Sequence, residues 1–200
     1  ADCAAVLVGI NKLFRLGLSK KRLMELGIQL GADIPYCILQ GTAVAEGIGE
    51  KLTPIAEGRP FCYVLLAKPN ISVSTASVYQ GLHLEEIKEH PDTEKMLFEM
   101  KQKNIQAMGG LLCNVLETVT IPRHSEIALL KQKMTALGAK GALMSGSGPT
   151  VFGLFTDKAK AMEAEQIIKK TFGLRDVFVT RIWNKTQQKR RGFYHDRLQI

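Results

Sequence analysis

Two short segments of this 200-residue chain combine a candidate catalytic group or anion cradle with a constrained backbone. The first is LGADIPYC, Leu30 to Cys37, where Asp33 follows a helix end and stands two residues before Pro35. A proline disfavours helical backbone in the residue before it, so Ile34 is expected to be extended and Asp33 to sit on a constrained turn. A carboxylate there caps a helix or turn, or, if partly buried, it orients or deprotonates a substrate hydroxyl, as phosphoryl transfer requires. The second is MSGSGPTVFG, Met144 to Gly153. Gly146 and Gly148 permit positive φ and close backbone approach. Successive N–H groups in such a loop form a nest for an anion, and Ser145 and Ser147 add hydroxyls; the alternative is a plain turn between strands. No GK[ST] follows, so this is not a P-loop, and it does not open a Rossmann helix.

Two further segments offer weaker signals. Ala1 and Asp2 stand at the start of a helix, whose unpaired N–H groups suit a phosphate. In KPNISVSTASVY, Lys68 to Tyr79, a strand runs into a helix. Ser74 is the expected N-cap and Thr75 the candidate for a substrate contact. The four cysteines, Cys3, Cys37, Cys62 and Cys113, form no CxxC pair and have no histidine at zinc-site spacing. Their apolar surroundings predict buried free thiols, with no metal ligand set and no disulfide. His83, His90, His124 and His195 are scattered and receive no role.

These groups must be held by elements that the pattern also indicates. Residues 2–16 read as a helix, with Val6, Ile10, Leu13 and Phe14 at helical spacing and Gly17 as its stop. Ser19 caps a second helix with Leu23, Leu26 and Leu30 on one face, ending at Gly31. GTAVAEGIGEKLTPI reads as a hairpin, and FCYVLLAKP as a buried strand. Asp92 opens a helix expected to reach about Met108. Helices are also expected over 111–118 and 122–137, the latter with Pro122 in its first turn. The strands ALM and TVFGLF flank the SGSGP loop, Asp157 caps a helix, and DVFVTRIW is the last strand. The fold class is α+β, an α/β two-layer arrangement of mixed or antiparallel strands with helices over one face.

Composition is that of a globular protein, with 46% hydrophobic and 23% charged residues. No apolar run approaches the roughly 18–20 residues of a membrane span, and no signal segment opens the chain, so a cytoplasmic protein is expected. The chain starts at Ala1 inside a helical pattern, which predicts a fragment of something longer. The net charge is +8. Half of that excess falls in the tail, where Lys185, Lys189, Arg190, Arg191 and Arg197 face Asp196 alone. The tail, with Phe193 and Tyr194, reads either as a solvated terminus or as a nucleic-acid contact whose affinity would fall steeply with salt.

Together these segments resemble the GHMP kinase family. MSGSGPTVFG is similar to the glycine-rich third motif of the superfamily. ADCAAVLVGINKLF is similar to the residues after its phosphate-binding loop. LGADIPYC and GTAVAEGIGE resemble the branch that phosphorylates the cytidine diphosphate conjugate of methylerythritol in non-mevalonate isoprenoid synthesis. The resemblance runs from Ala1 to about Trp183. It implies a GHMP kinase fold, with residues 1–57 closing an N-terminal ATP-binding domain. Residues 58–183 would be the C-terminal domain with a mainly antiparallel sheet, and 184–200 a basic flexible tail. It further implies ATP and Mg2+, Asp33 as the catalytic aspartate, and Thr75 near the substrate. Ala1, Asp2, Ser145, Gly146, Ser147 and Gly148 would form the phosphate side. The family's catalytic lysine and cytidine-binding residues have no counterpart here, so the 200 residues alone are expected to be inactive. The partner is a small molecule; membrane and nucleic acid are not expected, and self-association stays open. Other kinases of the superfamily, for homoserine, mevalonate or a sugar, are the alternative, as is a relative without catalysis.

Overall fold

The computed structural model describes residues 1–55, 61–83, 85, 87 and 89–182. The basic tail, read as a solvated terminus or, less in keeping with the rest, a nucleic-acid contact, lies outside these residues. The chain divides into two compact units, Ala1–Glu57 and Gly58–Ile182.

In the first unit, α1 (Asp2–Leu13), α2 (Lys20–Ile28) and α3 (Ile34–Leu39) pack around Ala4, Leu23, Ile34 and Ile38. Ser19 caps α2 as expected, its hydroxyl accepting from the Arg22 N–H at 3.1 Å. The helix α3 itself was not anticipated. Pro35 lies in its first turn, where the missing N–H costs nothing, and Ile34 is helical rather than extended. Burial of Ile34, Pro35 and Ile38 against α1 and α2 outweighs the local preference of a residue before proline. Gly27 makes that packing close: a Cβ there would meet Ile34 Cγ2 at 2.7 Å. The hairpin forms as read, β1 (Ala43–Glu46) antiparallel to β2 (Lys51–Pro54), with Gly47 and Gly49 at positive φ in its turn.

The second unit is a four-stranded sheet, antiparallel throughout, in the order β4 (Gly141–Met144), β5 (Val151–Phe155), β3 (Tyr63–Ala67), β6 (Val177–Arg181). Two helices, α8 (Ser125–Ala136) and α9 (Lys158–Phe172), pack on it. Leu65, Ala67, Val151, Phe155 and Val177 from the strands meet Ile127, Leu130 and Met134 of α8 and Ala161, Ala164 and Ile168 of α9. Alternation along β6 places Val177 in that core and Phe178 on the outside. Asp157 caps α9, accepting from the Lys160 N–H at 2.8 Å.

Shorter helices complete the unit: α4 (Thr75–Gln80), α5 (Thr93–Gln102), α6 (Ile105–Gly110) and α7 (Glu117–Arg123). The single helix expected from Asp92 to Met108 is two, because Lys103 turns left-handed at φ +57° and Asn104 caps a fresh start. The helix expected over 111–118 is largely loop, and α7 begins at Glu117. Pro122 sits inside α7, not in the first turn of α8. Of the cysteines, Cys62 is buried, Cys37 and Cys113 are half-buried and Cys3 is exposed, so the expectation of buried thiols fails for three of them. No helix among the described residues is long and apolar enough to cross a membrane.

Candidate functional site

The SGSGP segment is the tight connection between β4 and β5. Its backbone closes on itself: the Ser145 N–H donates to the Thr150 carbonyl at 2.8 Å and the Gly148 N–H to the Ser145 carbonyl at 3.0 Å. Gly146 and Gly148 adopt φ +56° and +88°, a region where a side chain is strained. The peptide bond from Gly148 to Pro149 is cis. Ser145 and Gly146 are exposed, whereas Ser147 and Gly148 are half-buried.

Thr75 is brought to this loop. It is the first residue of α4, and its hydroxyl lies 2.8 Å from the Ser147 hydroxyl. Ser74 takes the capping role, its hydroxyl accepting from the Ser77 N–H at 3.3 Å and leaving Thr75 free of that duty. Thr75 and Ser147 thus present adjoining hydroxyls, each able to donate or accept.

Residues outside the recognised motifs support the loop. Asn114 donates to the carbonyls of Met144 and Gly146, each at 2.8 Å. Thr120, fully buried on α7, donates to the Ser147 carbonyl at 3.2 Å. Glu117 accepts from the Met144 N–H at 2.8 Å and pairs with Lys131 of α8, tying α7, α8 and β4 together. Arg123 reaches Ser77 of α4 at 3.2 Å. No motif marks these residues. The one available signal is a run of polar residues, Asn114, Glu117, Thr118 and Thr120, inside an otherwise apolar stretch.

Asp33, Ala1 and Asp2 belong to the other unit. Asp33 is the residue before α3, yet its side chain makes no cap hydrogen bond and is exposed. The capping alternative is therefore not realised, and neither is the expected partial burial. Ala1 precedes α1 with no side-chain cap, and Asp2 places a carboxylate in the first turn. That charge already complements the helix dipole and would oppose a phosphate at the same end. Among the described residues no group of three or more His, Cys, Asp or Glu gathers to hold a metal.

Known proteins resemble this chain over most of its length. Residues 94–174 match the family model "GHMP kinases C terminal". A protein of Lachnospira eligens named 4-diphosphocytidyl-2-C-methyl-D-erythritol kinase is 44% identical over 90% of this chain and 62% of its own length. One of the same name from Alkaliphilus oremlandii is 50% identical over 82% of this chain and 56% of its own length. The crystal structure of a 4-(cytidine 5'-diphospho)-2C-methyl-D-erythritol kinase superposes with a TM-score of 0.75 at 28% identity, over 90% of this chain and 63% of that one. The chain carries the C-terminal domain of the GHMP kinases over residues 94–174. Its α+β fold is the GHMP fold, which a homoserine kinase from Cytophaga hutchinsonii also shares, with a TM-score of 0.70 at 19% identity over 88% of this chain and 62% of that one. At that identity the likeness shows the fold alone. The chain spans about 62% of the length of the first of these relatives.

Proposed function

We propose that this chain serves the transfer of the ATP γ-phosphoryl group to the 2-hydroxyl of 4-diphosphocytidyl-2-C-methyl-D-erythritol, a step of isoprenoid precursor synthesis in the cytoplasm. The substrate assignment follows the names carried by relatives at 44% and 50% identity. One structural observation carries the phosphate part: a glycine-serine loop whose carbonyls are engaged by the protein while the N–H groups of Gly146 and Ser147 have no internal acceptor among the described residues.

In this reading the N–H groups of Gly146 and Ser147 and the hydroxyls of Ser145 and Ser147 contact phosphate oxygens, while Gly148, whose N–H closes onto the Ser145 carbonyl, shapes the turn that presents them. Thr75 takes the acceptor substrate, and its contact with Ser147 couples the two functions. Asp33 orients the hydroxyl and accepts its proton. Its carboxylate makes no cap hydrogen bond, which leaves its oxygens open to a substrate hydroxyl. Mg2+ would arrive with the nucleotide, held by phosphates and water with at most one or two carboxylates, a mode that needs no protein cage. Residues 1–57 then close the ATP-binding domain, and 58–183 form the C-terminal domain.

The test is turnover by the complete gene product with ATP and the cytidine diphosphate substrate, beside Asp33→Asn. The wild type is expected to be active and the variant slower by roughly 10²–10⁴-fold, the contribution of a positioned base. A folded complete protein with no turnover of that substrate would sink the assignment. The isolated 200 residues are expected to be inactive.

A further inference from the structure

The direction in which the loop's N–H groups point is set by a residue outside the loop. In a trans peptide the C=O of one residue and the N–H of the next point opposite ways. Fixing a carbonyl therefore aims the following N–H. Each carbonyl from Met144 to Ser147 has a donor: Asn114 Nδ2 for Met144 and Gly146, the Gly148 N–H for Ser145, and the Thr120 hydroxyl for Ser147. The Asn114 amide has two hydrogens, and these two carbonyls use them both. Its Oδ1 accepts from the Leu116 N–H at 3.0 Å, which locks the side chain at the start of the turn into α7.

We propose that Asn114 is a positioning residue for phosphate binding: by holding the Gly146 carbonyl inward it turns the Ser147 N–H outward, toward an anionic oxygen. This rests on the phosphoryl-transfer reading above. An asparagine fits where a serine or aspartate does not. Serine has one hydrogen for two carbonyls, and aspartate has none.

The experiment uses the complete gene product and Asn114→Asp, which keeps the size and the Leu116 acceptor but sets a carboxylate against two carbonyls. Asn114→Ala removes the same donors without repulsion and stands in if Asn114→Asp does not fold. The KM for ATP is expected to rise about tenfold, the cost of one lost hydrogen bond. The KM for the alcohol substrate should stay within about twofold. Hydrogen exchange in the peptide covering residues 145–148 should accelerate while exchange in β3 does not. An unchanged KM for ATP, an equal rise in both KM values, or unchanged loop exchange in a folded variant overturns the proposal. A wild type with no turnover overturns the functional reading instead. Calorimetry with inorganic pyrophosphate then decides for Asn114: binding by the wild type that the variant loses sustains it, and no binding by either rejects it.

Discussion

At the scale of single residues, the loop between β4 and β5 depends on two glycines in different ways. A Cβ at Gly148 would meet Met144 Sδ at 2.7 Å and Thr120 Cγ2 at 3.5 Å, on a backbone at φ +88°. At Gly146, φ +56°, a Cβ meets nothing within 4 Å. Gly148→Ala combines strain with overpacking and is expected to cost about 2–4 kcal/mol, while Gly146→Ala bears the conformational cost alone, about 1 kcal/mol. Urea denaturation of both variants checks the order, and equal costs would contradict it. Cys62 carries a second residue-scale expectation. It is fully buried, and burial raises its thiol to about 11 from an ordinary 9.0. The raised value means that the folded state disfavours the thiolate. The stabilisation is complete below pH 9 and is lost as the pH climbs toward 11, by up to about 2–3 kcal/mol. Cys62→Ala should flatten the fall in stability over that window, measured by denaturation at pH 8 and pH 10.5.

At the scale of elements, what the sequence showed and what it hid divide by range. Ser19, Ser74, Asp92 and Asp157 were all readable as caps, because capping is settled within three residues. The strands around the SGSGP loop were readable from β-branched and apolar runs. The break at Lys103 was not, since nothing in EMKQKNIQ forbids a continuous helix. Ile105 and Met108 are buried beside β4, and reaching that position requires a new helix direction. For the site, the loop and Thr75 were visible as motifs, but Asn114 and Thr120 act across 27–32 residues of sequence and leave only a polar run in an apolar stretch. Two substitutions test this level. Lys103→Gly relieves a left-handed lysine and is expected to stabilise by about 0.5–1 kcal/mol. Gly109→Ala should do the opposite, since its Cβ would run into the backbone of Lys140 and Gly141, where α6 crosses β4. With backbone on both sides there is no side chain to yield, so a loss of about 3 kcal/mol or more is expected, read as a lower thermal midpoint.

At the scale of the whole molecule, the distribution of apolar surface is uneven. The second unit has a continuous core of strands and helices, and Thr120 is its fully buried polar residue among those described, with a partner for its hydroxyl. The first unit buries far less: its core is Ala4, Leu23, Ile34 and Ile38 with a partly buried fringe. Along α1 and its C-cap, Val6, Ile10, Leu13 and Phe14 form a stripe at helical spacing that faces solvent, Leu13 at 75% and Phe14 at 67% exposure. A helix stripe of that kind is what sequence periodicity ordinarily assigns to a core. Left in water, it favours association. The 200-residue chain is therefore expected to self-associate with rising concentration, seen by sedimentation velocity, and Leu13→Lys with Phe14→Lys should shift it toward monomer. The pair should leave stability nearly unchanged, because neither side chain is buried within its own chain. A monomer at all concentrations, or a double variant that unfolds, would show that the stripe is satisfied within the chain after all.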